Sequence, residues 1–240
     1  MNDPTAAPQV SIVIPVFNEE AILHAAVVDL RERLAPLEWS YEVVLSENGS
    51  RDATVEIAKA LQARYPQLRI LSVGEPNYGR ALREGIQAAR APIVLCDEID
   101  LCDTDFHARA VAMLESEPVD MVIGSKLIGG AQDERPWLRH AASLAYTAML
   151  HALLGFQGTD THGLKAFRRD RLLDVVAACQ VDRDVFASEF VIRACRQGLR
   201  VVEIPVRVME KRRPSINLVR RVPGVLSNLA KLTWAIRFKG

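Results

Sequence analysis

Val10-Ser11-Ile12-Val13-Ile14-Pro15-Val16, followed by Phe17-Asn18-Glu19, decides how the rest of the chain reads. The run is too short for an ordinary helix and too continuously apolar for a strand with one wet face, so it is a strand covered on both sides. Similar runs recur at Tyr41 to Leu45, Leu68 to Val73, Ala91 to Cys96 and Val119 to Ile123. Helical patterns separate them. Ile22, Leu23, Ala26, Val27, Leu30 and Leu34 share one helix face, and Asp52 to Tyr65, Gly79 to Ala89 and Thr104 to Glu115 follow. This alternation predicts an α/β fold with a doubly wound, mostly parallel sheet, whose ligands bind beyond the carboxyl ends of the strands.

After Ser125 the rhythm changes. A loop with Gly129 and Gly130 leads to a long apolar helix from about Pro136 to Leu154, then to the loop Gly155 to Gly163. A strand over Leu164 to Arg168, a helix around Val185 to Arg196 and a strand over Arg200 to Met209 come next. Repeats and low-complexity linkers are absent, so 1–240 reads as one domain: a first half over about 8–125, a second over about 126–218 that closes on it, and a basic C-terminal helix over 219–240.

The 240 residues are 49% hydrophobic and 25% charged, as in an ordinary soluble domain. The most apolar segment, Ala141 to Phe156, falls short of the roughly 20 residues that span a bilayer, which excludes a spanning helix but not contact with a membrane surface. Met1 to Gln9 lacks the cationic start and apolar core of a secretory leader, so the expected location is the cytoplasm, with a peripheral place at the cytoplasmic face of the membrane as the alternative to a freely diffusing chain. Cys96, Cys102, Cys179 and Cys195 lack metal-ligand spacing and read as packed thiols. Net charge is zero, yet all 30 acidic residues lie at or before Glu210, and the last thirty residues hold Lys211, Arg212, Arg213, Arg220, Arg221, Lys231, Arg237 and Lys239. Such a tail suits phosphates or an anionic lipid surface, with a solvated helix as the alternative. Nucleic acid is disfavoured, because the acidic body would repel a polyanion.

Neither GxGxxG nor GxxxxGK[ST] occurs, which argues against dinucleotide oxidoreductases and P-loop enzymes. Carboxylates and amides stand at the strand ends instead: Asn18 and Glu19, then Glu47 and Asn48, then Asp97, Glu98 and Asp100. Acidic groups gathered at one sheet edge repel one another unless a cation sits among them, so the pattern suggests a divalent metal. The alternative is a solvated acidic loop that caps a helix.

With these residues in view, the chain resembles glycosyltransferase family 2, of the GT-A fold, and within it the dolichol-phosphate mannosyltransferase-like members. The resemblance covers about Val10 to Leu218 and rests on the order of several motifs. These are Ile14-Pro15-Val16-Phe17-Asn18-Glu19, Glu47-Asn48-Gly49-Ser50-Arg51-Asp52, Asn77-Tyr78-Gly79-Arg80, the acidic segment ending Asp100-Leu101, Gly124-Ser125-Lys126, Asp160-Thr161-His162-Gly163 and Val202-Glu203-Ile204-Pro205-Val206. It implies an inverting, metal-dependent hexosyltransferase that uses a GDP- or UDP-hexose and a polyprenyl phosphate. Pro15, Phe17, Glu19, Glu47 and Asn48 would hold the nucleotide, and Glu98 and Asp100 would hold Mg²⁺ or Mn²⁺ on the diphosphate. Alternation along a strand would put that pair on one side and turn Asp97 away. Lys126 and Arg139 match positions that hold the acceptor phosphate, with Arg212 of the basic segment closing over the diphosphate.

The chain departs from the family pattern where Glu47-Asn48 replaces an Asp-Asp pair and Glu98 replaces the first aspartate of Asp-x-Asp. A glutamate keeps the charge and moves it by a methylene, which leaves metal preference and base identity open. Asn48-Gly49 also satisfies a tight turn. For a hydroxyl acceptor a general base is required, with Asp160 or Glu189 as candidates; for a phosphate neither is obliged to act. Asp160 can equally order a Gly-rich loop. A noncatalytic nucleotide-sugar binder is the remaining alternative.

Overall fold

The computed structural model of the protein describes residues 7–208 and 218–238. Five strands, β1 (Val10–Val16), β2 (Tyr41–Glu47), β3 (Leu68–Ser72), β4 (Ile93–Cys96) and β5 (Met121–Ser125), alternate with helices α1 (Leu23–Leu34), α2 (Thr54–Arg64), α3 (Tyr78–Ala88) and α4 (Thr104–Ser116). A two-residue strand β6 (Gln132–Asp133), α5 (Trp137–Leu154), β7 (Lys165–Arg168), α6 (Arg169–Ala178), α7 (Phe186–Arg196), β8 (Val201–Pro205), β9 (Arg207–Val208) and α8 (Leu218–Phe238) follow.

The main sheet runs in the order β3-β2-β1-β4-β7-β5-β8, parallel except for β7, which is antiparallel to both neighbours. The expected fold class is therefore present. Both faces of β1 are buried, as its unbroken apolar run requires. Ile12, Ile14 and Val16 pack with Leu23, Val27 and Leu30 of α1 and with Phe106 and Leu114 of α4. Val13 on the other face packs with Leu82 and Ile86 of α3 and Phe186 and Phe190 of α7. Truncating one of the leucines, isoleucines or phenylalanines among these to alanine costs about 2–5 kcal/mol.

Three features differ from expectation. Helix α6 was not foreseen between Arg168 and Val185, although Leu172, Val175 and Val176 bury one of its faces. The expected strand over Arg200 to Met209 is two strands. Pro205 has no N–H to continue the ladder, and the chain passes at Val206 from β5 to a parallel pairing with β6, where Gln132 N donates to Val206 O. Finally, β4 ends at Cys96, so Glu98 and Asp100 stand in a turn and not on a strand: Leu101 N and Cys102 N both donate to Glu98 O. Strand alternation therefore does not relate that pair.

Strand order reverses between β1 and β4, where β1 continues to β2 on one side and β4 begins the other. That switch point opens a crevice at the carboxyl ends of the strands. Because β7 runs antiparallel, its first residue Lys165 lies opposite Cys96 and Ile123, and the preceding loop arrives at the same edge.

Candidate active site

The β1 and β2 loops are laced together before any ligand is considered. Asn18, in the left-handed region at φ 55°, accepts from Arg51 N through Oδ1 and donates its own N–H to Ser50 Oγ. Glu20 Oε2 accepts from Ala53 N, and Glu19 N donates to Thr54 Oγ1. Glu47 and Asn48 are buried: Glu47 Oε1 accepts from Ser50 N, and Asn48 Oδ1 accepts from Asn77 N at 2.6 Å. Asn77 Oδ1 in turn caps α3 through Arg80 N and accepts from Arg183 N. Gly79 is required there, because a Cβ would sit 2.3 Å from Arg183 O. Pro15 is buried in β1, Phe17 is 38% exposed beyond it, and Glu19 is half-buried. The sequence-derived nucleotide residues thus meet at one edge.

The acidic turn follows β4. Asp97 and His107 of α4 are fully buried, with Nε2 2.6 Å from Oδ2. Asp97 therefore faces the core, as expected. Glu98 is solvent-accessible yet stands among enough protein that desolvation, then the Asp100 and Asp97 charges, push its carboxyl up to about 7, against the opposing pull of Lys126 and Lys165. Tyr78 is raised well above the ordinary phenol, by desolvation first and by the Glu98 charge second. Among the described residues no group of three His, Cys, Asp or Glu is arranged to hold a metal. Two carboxylates whose charges oppose each other, beside a diphosphate, nevertheless suit Mg²⁺ or Mn²⁺, because Mg²⁺ usually binds through one or two carboxylates plus substrate phosphates.

On the other side, Lys126 Nζ lies 2.5 Å from Asp160 Oδ2, and Asp160 Oδ1 accepts from His162 N. Burial alone would raise the Asp160 carboxyl, but the Lys126 charge and hydrogen bond overcome it and hold it below the usual range. Glu203 of β8 secures this loop by accepting from Thr159 N, Thr159 Oγ1 and Asp160 N. Gly163 passes so close to β5 that a Cβ would sit 1.8 Å from Gly124 O. Exposed His162 meets Tyr146 edge-on at 5.2 Å. A cleft of about 490 Å³ opens beside Lys126, with Arg135, Trp137 and His140 also lining it. Its floor is ordered by Asp133, which binds Arg135 through both carboxylate oxygens at 2.7 Å. Arg139 is half-buried near the start of α5, and Arg212 lies outside the described residues.

Glu189 of α7 is remote from this arrangement in its bonding. Its Oε1 holds Arg193 Nε at 2.7 Å, and its Oε2 accepts from Gln180 N and Val181 N, closing the end of α6. Sequence reasoning gave no role to Lys165, Tyr78 or Glu203. Lys165 is 2% exposed, donates to Gly163 O at 2.7 Å, and is held below its usual basicity by desolvation, despite the Cys96 and Asp160 charges. A lysine amid the apolar Leu164 to Phe167 was the available signal.

The comparisons agree with this fold. Crystal structures of glucosyl-3-phosphoglycerate synthase from Mycobacterium tuberculosis share the fold; the complex with Mn²⁺, UDP and phosphoglyceric acid superposes with a TM-score of 0.64 at 21% identity, covering 96% of this chain and 80% of that one. Glycosyltransferase AglD of Haloferax volcanii is 29% identical over 237 residues, 96% of this chain and 38% of that protein. The undecaprenyl-phosphate 4-deoxy-4-formamido-L-arabinose transferase of Aeromonas hydrophila is 28% identical over 206 residues, 84% of this chain and 60% of that protein. The chain thus spans less than two thirds of the length of both relatives, and little more than a third of the first. Residues 11–175 match the model of glycosyl transferase family 2. With strand-end motifs, sheet order and this match in agreement, the chain belongs to glycosyl transferase family 2.

Proposed function

We propose that the chain is an inverting transferase that moves a hexose from a GDP- or UDP-hexose to a polyprenyl phosphate. The observation that carries this reading is the condition of Asp160 and Glu189, the two candidates for the base that a hydroxyl acceptor would require. Asp160 is held ionised and weakly basic by Lys126, and Glu189 has both oxygens engaged. Neither is poised to deprotonate a hydroxyl, whereas a phosphate oxyanion is already ionised near neutral pH and needs only orientation.

In this reading Pro15, Phe17, Glu19, Glu47 and Asn48 hold the nucleotide. Glu47 Oε2, whose nearest partner is Ser72 Oγ at 3.4 Å, is the acceptor for a base N–H. Glu98 and Asp100 hold a divalent ion, which would neutralise the departing diphosphate. Lys126 and Arg139 orient the acceptor, and Asp160 sets the position of the Lys126 ammonium. The name of the Aeromonas relative, an undecaprenyl-phosphate transferase, supports a lipid-phosphate acceptor. No helix among the described residues is long and apolar enough to cross a membrane. Exposed Trp137, Leu138 and Leu144 of α5 instead offer an apolar face to an anionic membrane surface.

Nucleotide release from GDP- and UDP-hexoses, assayed with detergent-solubilised polyprenyl phosphate and with soluble hydroxyl acceptors, tests the reading. Turnover with the lipid phosphate, abolished by Asp100→Ala and kept in kcat but with a raised KM for the lipid phosphate in Asp160→Asn, whose Lys126 ammonium has lost its anchor, is the expected result. Turnover confined to a hydroxyl acceptor, with most of its rate lost in Asp160→Asn, overturns it. A soluble acceptor is the second reading, favoured by the phosphoglyceric acid bound in the mycobacterial synthase structures.

A further inference from the structure

Asp97 occupies the switch point between β1 and β4 without facing the crevice. Its N–H donates to Val13 O of β1 at 3.0 Å, its Oδ1 accepts from Glu98 N at 2.6 Å, and its Oδ2 lies 2.6 Å from His107 Nε2. The backbone of Glu98 is thereby held on both sides of its Cα, since Glu98 O receives Leu101 N and Cys102 N. A carboxylate and an imidazole with no exposed side-chain surface are costly to bury, and an apolar pair would fill the same space without that cost. Packing alone does not account for them. The segment they hold is the one that carries Glu98 and Asp100.

We propose that His107 is a positioning residue for the donor site: by fixing Asp97, it fixes the Glu98 N–H and so the path of the turn that presents Glu98 and Asp100 to the ion on the diphosphate. The inference rests on the reading of those two carboxylates as metal ligands. His107 touches neither substrate nor metal and acts only through Asp97. Groups that orient metal ligands from behind typically change metal affinity by about 10- to 100-fold when removed.

His107→Leu and His107→Gln test the proposal with two measurements. In metal-free protein, hydrogen exchange across residues 98–102 should accelerate at least tenfold in the Leu variant, with protection of β1 unchanged, and return toward wild type in the Gln variant, which keeps a donor. In the presence of UDP or GDP, Mn²⁺ affinity by titration should fall about tenfold or more in the Leu variant and recover in the Gln variant. Unchanged exchange in the turn, or accelerated exchange spread evenly through the sheet, overturns the proposal, as does wild-type Mn²⁺ affinity in a Leu variant whose turn has loosened. Should wild type itself take up no Mn²⁺ with either nucleotide, the metal reading fails and the inference for the donor site is overturned with it, whereas loss confined to the variant faults neither.

Discussion

Lys126 Nζ and Asp160 Oδ2 lie 2.5 Å apart, with both side chains largely withdrawn from water, and so join the end of β5 to the loop that precedes β7. The pair has a definite pH signature. Asp160 titrates below its unfolded value of about 3.8, so its contribution to stability is complete above that value and is lost as pH falls through the lower folded value. Asp160→Asn leaves the Lys126 ammonium without its partner and should cost about 3–5 kcal/mol near neutral pH. Urea unfolding of both proteins from pH 7 down to pH 3 checks this: the gap between them should narrow toward the acid end, and a constant gap would show that the charge is not responsible.

Glu98 behaves in the opposite sense. Its carboxyl, about 4.5 when unfolded, is pushed up to about 7 in the fold, so between those values the native state keeps a proton that the unfolded chain has released. Stability falls as pH rises through that window and stays at its reduced level above it. In EDTA, Glu98→Gln should melt at a higher temperature than wild type at pH 8 and at the same temperature near pH 4. Adding Mn²⁺ should raise the wild-type melting temperature and leave the variant nearly unmoved, because the ion supplies the counter-charge that the isolated turn lacks. A variant less stable than wild type at pH 8 in EDTA would show that the Glu98 charge is not under strain.

Gly163 makes a prediction from space alone. A methyl group there would approach Gly124 O to 1.8 Å, and because the obstacle is backbone, the loop holding Asp160 or strand β5 must move. Gly163→Ala should destabilise by roughly 1–3 kcal/mol and reduce transfer in proportion to the displacement of Lys126 and Asp160. The counterpart Gly129→Ala, at a position where a Cβ meets nothing within 4 Å, should leave both unfolding and turnover unchanged.

How much of this was legible beforehand follows from range of interaction. Buried strands such as β1 declare themselves because covering both faces forces an unbroken apolar run. Helix α6 escaped because it begins at Arg169, directly after β7 ends at Arg168, with no turn residue to mark a boundary. The carboxylates at Glu98 and Asp100 are visible as residue types, but strand alternation does not pair them, because β4 ends at Cys96 and the chain turns there with Leu101 N and Cys102 N donating to Glu98 O. Asp97 and His107, and likewise Glu203 and Thr159, are brought together only by the packed fold, and nothing in their spacing announces either contact.

The exposed end of α5 supplies the last prediction. Trp137, 79% exposed, lines the cleft beside Lys126, and its neighbour in α5, Leu138, is 48% exposed. If the acceptor is a lipid phosphate, its head group must reach that cleft while its chain stays in the membrane, which places this end of α5 against the bilayer. Indole is well suited to such a boundary, with an apolar body and one polar N–H. Trp137→Ala combined with Leu138→Ser should weaken sedimentation with phosphatidylglycerol-containing vesicles severalfold and raise KM for polyprenyl phosphate, while kcat and KM for the sugar nucleotide stay as in wild type. Undiminished vesicle binding, or an equal rise in KM for the sugar nucleotide, would place this end of α5 away from the membrane, because a change confined to acceptor docking cannot alter the donor half of the site.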